Sequence, residues 1–303
     1  MRAMNYAIGL DLGGTNIKAL AVTPTGRVLA QTVVPTGDTG QLGWQVNVGR
    51  ARDTLVRELK RPPVWIGLAA PGLAASDQAS IAFMPGRLPG LEGLVWKSFL
   101  KVSHRVPVLN DAHAALLGEV WRGAGRSSRN AILLTLGTGV GGAALVDGRL
   151  LHGHIGRAGH LGHISLDPEG SLDVACTPGS LEDAIGDCTV RVRSGGRFSS
   201  TEKLVAASNA GDADARRVWR QSVQALAAGV ASLINVLDPE VVVIGGGIAR
   251  AKAALFRPLQ KHLNTFEWRP GGQRARIVAA KLGDRAGAFG AAWNAIHFQI
   301  RNP

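Results

Sequence analysis

Asp111 stands where two apolar segments of different character meet. Before it, Arg105-Val106-Pro107-Val108 has the look of a short buried strand. After it, Ala114-Ala115-Leu116-Leu117-Gly118-Glu119-Val120-Trp121 has helical character. A carboxylate at such a junction can do two things. It can cap the helix by accepting a backbone N–H, or it can orient a hydroxyl and take its proton. Glycine-rich turns on both sides of Asp111 favour the second. Gly13-Gly14, Gly137 to Gly142 and Gly245 to Gly247 each follow an apolar strand directly. Phosphate needs backbone N–H donors at close range, and glycine lets the main chain come that close. One such turn would be an ordinary hairpin feature; three together point to a nucleotide. None has the Gly-Lys-Ser/Thr frame of a P-loop. Gly137-Thr138-Gly139-Val140-Gly141-Gly142 leads into a strand and not a helix, which sets a dinucleotide fingerprint aside.

Periodicity shows the elements that must hold these groups. Ala7 to Leu12 is an apolar strand interrupted by Asp11. Gly13-Gly14-Thr15-Asn16 is a turn, Ile17 to Val22 a second strand, and Val28 to Val34 a third. The chain therefore opens on an antiparallel hairpin with a glycine tip. Val46 to Leu59 reads as an amphipathic helix ended by Pro62-Pro63, and Val64 to Ala69 as a strand. A Gly/Pro-bearing loop then runs from Ala70 to about Gly93. Ala131 to Thr135 and Ala143 to Val146 flank the second glycine turn. Asp11-Leu12-Gly13 lines up with Thr135-Leu136-Gly137, and Ala19 to Val22 with Ala143 to Val146, at one constant offset. A duplicated nucleotide-binding fold would leave that pattern. Gly153 to Glu182 reads as loop. Ser200 to Asn209 and Ala213 to Leu237 read as helices, Val241 to Ile244 and Ala275 to Ala279 as strands. Gly283 to Ile296 reads as a terminal helix of small residues.

The 303 residues exceed the size at which single cores tend to split, which predicts two domains. The net charge of +12 comes mostly from arginines spread along the chain. Their densest groups, Arg122 to Arg129 and Arg269 to Arg276, carry no interleaved aromatics. They read as solvated basic surface, not as a nucleic-acid footprint. Two cysteines, Cys176 and Cys188, indicate no disulfide framework and fit a reducing cytoplasm. The first residues lack the long apolar core of a signal peptide, and no apolar stretch reaches the ~18 residues of a membrane span. The expectation is a cytoplasmic protein that binds neither nucleic acid nor membrane.

Taken together, the motifs resemble those of the ROK family of sugar kinases and repressors, within the actin-like ATPase superfamily. Leu10-Asp11-Leu12-Gly13-Gly14-Thr15-Asn16-Ile17-Lys18 resembles its first phosphate motif, and Asn110-Asp111-Ala112-x-Ala114-Ala115 its catalytic segment. Leu136 to Gly142 resembles its second phosphate motif, Val243-Ile244-Gly245-Gly246-Gly247 its adenosine motif, and Ala69-Ala70-Pro71-Gly72 its loop near the sugar. The resemblance implies a duplicated ribonuclease-H-like α/β fold, with two domains around a nucleotide and sugar cleft. A small N-terminal domain would span 1–112, with a terminal helix at about 286–298 packed back on it, and a large domain would span 113–285. It implies ATP-dependent phosphorylation of a hydroxyl on a monosaccharide or sugar-like polyol. Asp111 would accept the proton of that hydroxyl, Asn110 would bond a sugar hydroxyl, and Gly72 would lie near the sugar. Asp11 would organise Mg²⁺ and its water shell. Gly13, Gly14 and Thr15 would cradle the β- and γ-phosphates, with Lys18 closing the same motif. Thr138 and Gly139 would hold phosphate from the second domain, and Gly245, Gly246 and Gly247 would pass close to the adenosine. A homodimer is implied as well. Polyphosphate stays open as an alternative donor, because it is used among relatives.

The sequence departs from the family in one region. Family members usually carry Gly-Glu-x-Gly-His and then Cys-x-Cys-Gly-x-x-Gly-Cys-Leu-Glu. The Glu and His bond sugar hydroxyls, while the His and three Cys hold a structural zinc. Here the segments read Gly159-His160-Leu161-Gly162-His163 and Cys176-Thr177-Pro178-Gly179-Ser180-Leu181-Glu182. His163 and Glu182 keep sugar-binding positions, His160 replaces the Glu, and Ser180 stands for the last Cys. Only His163 and Cys176 remain as soft ligands where a structural zinc needs four. Zinc is not expected, and the loop reads as one that has exchanged its metal for hydrogen bonds. Arg87 stands about where many members have a sugar-binding Asn. Arg87 and His160 put side chains able to carry positive charge where relatives have neutral or acidic ones, which predicts a substrate other than plain glucose: another hexose, a ketose, a cyclitol or an acidic sugar. The alternative is that Arg87 is a surface residue and His160 bonds the same hydroxyl as the Glu. A ROK repressor would need an N-terminal winged helix-turn-helix of ~60–80 residues, and the phosphate motif starts within about ten residues of Met1. A non-catalytic sugar-sensing protein is the remaining alternative, and the retained Asp11, Asp111 and glycine turns speak against it.

Overall fold

The computed structural model describes residues 5–37, 43–86 and 88–301. The first half of the chain forms β1 (Ala7–Leu12), β2 (Asn16–Val22), β3 (Val28–Pro35), α1 (Gly43–Leu59), β4 (Trp65–Ala70), β5 (Leu73–Ala74), β6 (Ile81–Phe83), α2 (Trp96–Phe99), β7 (Val108–Asn110) and α3 (Asp111–Arg122). The remainder forms β8 (Ala131–Leu136), β9 (Val140–Val146), β10 (Arg149–Leu150), α4 (Leu181–Ile185), α5 (Val190–Arg193), α6 (Thr201–Asn209), α7 (Ala213–Leu237), β11 (Val241–Gly245), α8 (Ala253–Phe266), β12 (Arg276–Ala279) and α9 (Ala286–Arg301). The chain divides into two compact units. The first takes the described residues up to 127, with 150–158 and the segment from 281 onward; the second takes 128–149 and 159–280.

In the first unit the sheet order is β3-β2-β1-β4-β7. β1, β2 and β3 run antiparallel, and β4 and β7 continue parallel to β1. Side chains of a strand alternate between faces, and both faces of β1 are covered. Ile8, Leu10 and Leu12 face a core closed by Trp44, Val48, Ala51 and Leu55 of α1. Ala7 faces the other way, against Ala288, Phe289 and Ala292 of α9. Gly9 and Asp11 share that α9 face by the same alternation. The helix lies so close that a Cβ on Gly9 would run into its backbone, and one on Gly290 of α9 into the backbone of Ala114 in α3. The expected boundary at 112 falls in the first turn of α3, which packs along α9. Glu119 of α3, fully buried, fastens that pair. Its carboxylate accepts backbone N–H groups from Lys281 at 2.9 Å, Leu282 at 2.7 Å and Ala124 at 2.6 Å.

The second unit repeats the arrangement in the order β10-β9-β8-β11-β12, with β9 antiparallel to β8 and β11 and β12 continuing parallel. The two glycine-tipped hairpins differ by one residue. In the first, Leu12 faces Ile17, and Gly13 N–H reaches Asn16 O at 3.1 Å. In the second, Leu136 faces Val140, and Gly137 N–H reaches Gly139 O at 2.9 Å. The constant offset read from the sequence therefore holds up to the turn and slips by one beyond it. Ala19, opposite Leu10, matches Gly142, opposite Leu134, and not Ala143.

The core of this unit is filled by Val223, Leu226 and Val230 of α7 and Leu255, Leu259 and Leu263 of α8. α8 was not legible in the sequence because Pro258 lies inside it. A proline leaves the carbonyl four residues earlier without its helical donor. That carbonyl belongs to Ala254, and Trp219 Nε1 of α7 donates to it at 2.9 Å. Among the described residues no helix is long and apolar enough to cross a membrane.

Candidate functional site

In the first unit the candidate residues gather where parallel strands end. Asp11 faces Ala69 across β1 and β4, and Ala70 faces Asn110 across β4 and β7. Asp11, Gly72 and Asn110-Asp111 thus follow the carboxyl ends of three adjacent strands, where open α/β sheets bind ligands. Asn110, not Asp111, is the N-cap of α3. Its Oδ1 accepts the N–H groups of Ala112 at 2.9 Å and His113 at 3.3 Å, and its Nδ2 donates to Gly72 O at 3.0 Å. That leaves one N–H of Asn110 for a ligand. Asp111 accepts from Ala112 N at 2.7 Å and stands exposed on the first turn of the helix. Gly72 takes φ +98°, and a Cβ there would meet Phe83 O at 2.5 Å, so this turn under Asn110 requires glycine.

Asp11 is half-buried, and its pKa is pushed up to about 7. Burial is the main cause and the Asp111 carboxylate the next; Lys18 pulls the value down and Asp284 adds to the rise. Lys18 Nζ lies 3.9 Å from Asp284. Gly287, at the start of α9, abuts the carboxylate: a Cβ there would stand 2.6 Å from Asp11 Oδ2. Gly14 and Thr15 are exposed at the hairpin tip, beside the partly exposed Gly13. Two neighbouring carboxylates, one already resisting ionisation, form an oxygen donor set that a hard divalent cation would complete.

In the second unit the turns after β8 and β11 lie on adjacent strands, with Gly245 opposite Thr135. Gly137, Thr138 and Gly247 line a cavity of about 590 Å³, together with Asp187, Thr201 and Arg250. Gly246 sits at φ +85°, where a Cβ would strike the Leu136 backbone. Gly139 is hemmed in by Glu182, whose Oε2 accepts Val140 N–H at 2.8 Å.

Sequence reasoning missed the brace beneath this cavity. The Arg193 guanidinium donates to Gly186 O at 2.6 Å, Ala184 O at 3.0 Å and Thr189 Oγ1 at 3.1 Å, and also to Ser222 Oγ. Burial pulls its pKa down to about 10. The segment it grips holds the glycine turn after β8 in its own right. Asp187 N–H donates to Gly137 O at 2.9 Å and Cys188 N–H to Thr138 O at 2.8 Å. Asp187 Oδ1 accepts Thr201 N–H at 2.5 Å across the cavity lining. Nothing in the sequence sets Arg193 apart from the other arginines; its burial does.

The family model that matches this chain is the ROK family, over residues 7–297. The chain belongs to the ROK family. It is 32% identical to the glucokinase of Halalkalibacterium halodurans, over 95% of this chain and 94% of that protein. It superposes on the ROK hexokinase of Thermus thermophilus with a TM-score of 0.87 and 30% identity, covering 98% of this chain and all of the other. The ROK glucokinase of Streptomyces griseus, solved with glucose and AMPPNP, matches with a TM-score of 0.79 and 28% identity, over 97% of this chain and 100% of that one. The fold is the duplicated α/β fold that the motifs implied.

In this ROK chain the unusual segment is tightly organised. His160 precedes the short turn Leu161–His163 and is partly exposed. His163 Nδ1 lies 2.8 Å from Asp173 Oδ2, and Glu182 is buried in the first turn of α4. Among the described residues, His163, Asp173 and Glu182 have ligand atoms within 4.8 Å of one another. Cys176 and Cys188 are exposed thiols outside that group. Arg87 lies outside the described residues.

Proposed function

We propose that this ROK protein is an ATP-dependent sugar kinase in which Asp111 accepts the proton of the attacked hydroxyl. The observation that carries this is the placing of Asp111: an exposed carboxylate on the first turn of a helix that Asn110 caps, beside a second carboxylate at Asp11. Phosphoryl transfer asks for positioning and charge neutralisation more than covalent chemistry, and these residues supply both. Asn110 and the Gly72 turn hold acceptor hydroxyls in the first unit. His160, His163 and Glu182 are the sugar contacts of the second, and Arg87 has the same role. Asp11 holds Mg²⁺ through water, with Lys18 nearby; the ion, when bound, neutralises phosphate charge. Gly13, Gly14 and Thr15 offer backbone N–H groups to phosphate, as do Thr138 and Gly139. Gly245, Gly246 and Gly247 flank the adenosine.

ATP as donor is supported by the cavity beside Gly247, which has room for a nucleoside that a polyphosphate chain would not need. It is supported too by the AMPPNP bound in the Streptomyces griseus relative. The relatives' names support a hexose or closely related polyol as acceptor. His160 and Arg87, where relatives carry an acidic and a neutral side chain, support a preferred acceptor other than plain glucose. A homodimer belongs to the same proposal and rests on the family resemblance; a cytoplasmic setting belongs to it too and rests on the two free cysteines, Cys176 and Cys188.

ADP release from Mg-ATP over a panel of hexoses, amino sugars, ketoses and cyclitols tests this. Turnover with at least one sugar is expected. Sugar binding without turnover across the whole panel would favour a non-catalytic sensor.

A further inference from the structure

The loop between His163 and α4 is closed on one carboxylate. The Asp173 side chain has no solvent exposure. Its Oδ1 accepts the N–H groups of Ala175 at 2.8 Å and Thr177 at 2.9 Å, and its Oδ2 lies 2.8 Å from His163 Nδ1. Three donors, two backbone N–H groups and the His163 ring, thus meet the two carboxylate oxygens. The backbone closes the same ring: Asp173 N–H donates to Thr177 O at 3.0 Å, and Cys176 N–H to Asp173 O at 2.9 Å. Ser180 caps α4 by accepting Asp183 N–H at 3.2 Å, and Glu182 sits in that helix's first turn.

The family resemblance implies a structural zinc in this loop, and the atoms present do not fit one. A structural site is closed, tetrahedral and built from sulfur and imidazole. Here the atoms near enough to share an ion come from one imidazole and two carboxylates. Each is already committed to a protein partner: Nδ1 of His163 to Asp173, Oε2 of Glu182 to Val140 N–H, and Asp173 to its three donors. Cys176, at φ +61°, and Cys188 are exposed and stand apart from the group.

We infer that Asp173 holds this loop in place of a metal and, through Nδ1, fixes the tautomer of His163, so that Nε2 is the ring atom left for a substrate. An ionised carboxylate only accepts, so the shared proton sits on Nδ1. Asp173 is thus a positioning residue that acts through His163. The part concerning substrate rests on the proposal that His163 contacts the sugar.

Metal analysis of the protein purified without a chelator or a metal-binding tag tests the first half, paired with thermal unfolding with and without a strong zinc chelator. Zinc far below one atom per chain and an unchanged midpoint are expected. Zinc near one per chain, with a midpoint that falls on chelation, would overturn the inference. The second half is read by ¹⁵N shifts of the His163 ring and by kinetics of Asp173→Asn, which presents an N–H₂ where an oxygen accepted. The wild type should show the Nδ1–H tautomer alone. The variant should lose that preference and raise the sugar KM about tenfold, with the ATP KM held within about twofold. A wild-type ring in the Nε2–H form, or sugar and ATP KM values that rise together, would contradict the positioning role. Should Asp173→Asn fail to fold, the wild-type metal and ¹⁵N measurements still decide. A wild type that phosphorylates no sugar would remove the kinase proposal and leave these two readouts to judge Asp173.

Discussion

The Asn110 amide donates to the Gly72 carbonyl at 3.0 Å, and this bond joins the end of β7 to the turn after β4. The cap of α3 and the loop beneath it are therefore one piece, and Asp111 rides on it. Asn110→Asp keeps an oxygen for the cap but sets a carboxylate against the Gly72 carbonyl. It should raise the sugar KM with little loss of stability. Asn110→Ala should lose the cap too, at a cost of about 0.5–2 kcal/mol. Thermal unfolding beside steady-state kinetics separates the two; equal stability for both variants would contradict this account of the cap.

Arg193 should matter to the nucleotide and not to the sugar. Its guanidinium holds two carbonyls and two hydroxyls around the segment that pins Gly137 and Thr138. Lysine offers a compact point charge where a planar fork is needed. Arg193→Lys should raise the ATP KM about tenfold, an effect the size of one or two lost charge-assisted hydrogen bonds. The sugar KM should stay near wild type. An unchanged ATP KM would show that the turn holds its shape without the brace.

Two glycines on α9 should respond differently to the same methyl group. At Gly290 the Cβ meets the Ala114 backbone, so Gly290→Ala should destabilise by about 1–3 kcal/mol. At Gly287 the Cβ meets a side-chain oxygen of Asp11, which can rotate away. Gly287→Ala should cost little stability and lower kcat/KM for Mg-ATP. Unfolding midpoints and ATP kinetics of the pair would expose the idea as wrong if Gly287→Ala kept full activity.

Glu240 gives a pH signature. Its Oε1 accepts the N–H groups of Asn130 at 3.0 Å and Arg129 at 2.8 Å, tying the start of β11 to the start of β8. The bond from Asn130, then that from Arg129, holds its carboxyl below the usual glutamate range. A depressed folded-state pKa stabilises above the unfolded value, and that contribution fades as pH falls through the folded one. Below about pH 4.3 the wild-type midpoint should fall more steeply than that of Glu240→Gln. Parallel curves would place the acid sensitivity elsewhere.

What the sequence made legible was local. Both glycine-tipped hairpins, the Asp111 junction and α7 are set by short-range period and turn chemistry, and they form where expected. The slip of one residue between the hairpins was hidden, because strand register is fixed by pairing across the sheet. α8 was hidden by Pro258, whose cost is offset by Trp219 from another helix. Arg193 and Asp173 act through the hydrogen bonds they gather once the loop around them has folded, which no pattern of spacing carries. Gly287 lies in what reads as a helix of small residues, and only the folded chain sets it against Asp11.

The most direct test of the central claim is the single-turnover rate of sugar-dependent ADP formation in Asp111→Asn, with ATP and sugar affinities measured on the same protein. Loss of a positioned base should lower the chemical step by about 10²–10⁴-fold, while both affinities remain near wild type. A chemical step within a few-fold of wild type, on a folded variant that binds both substrates, would show that Asp111 is not the base.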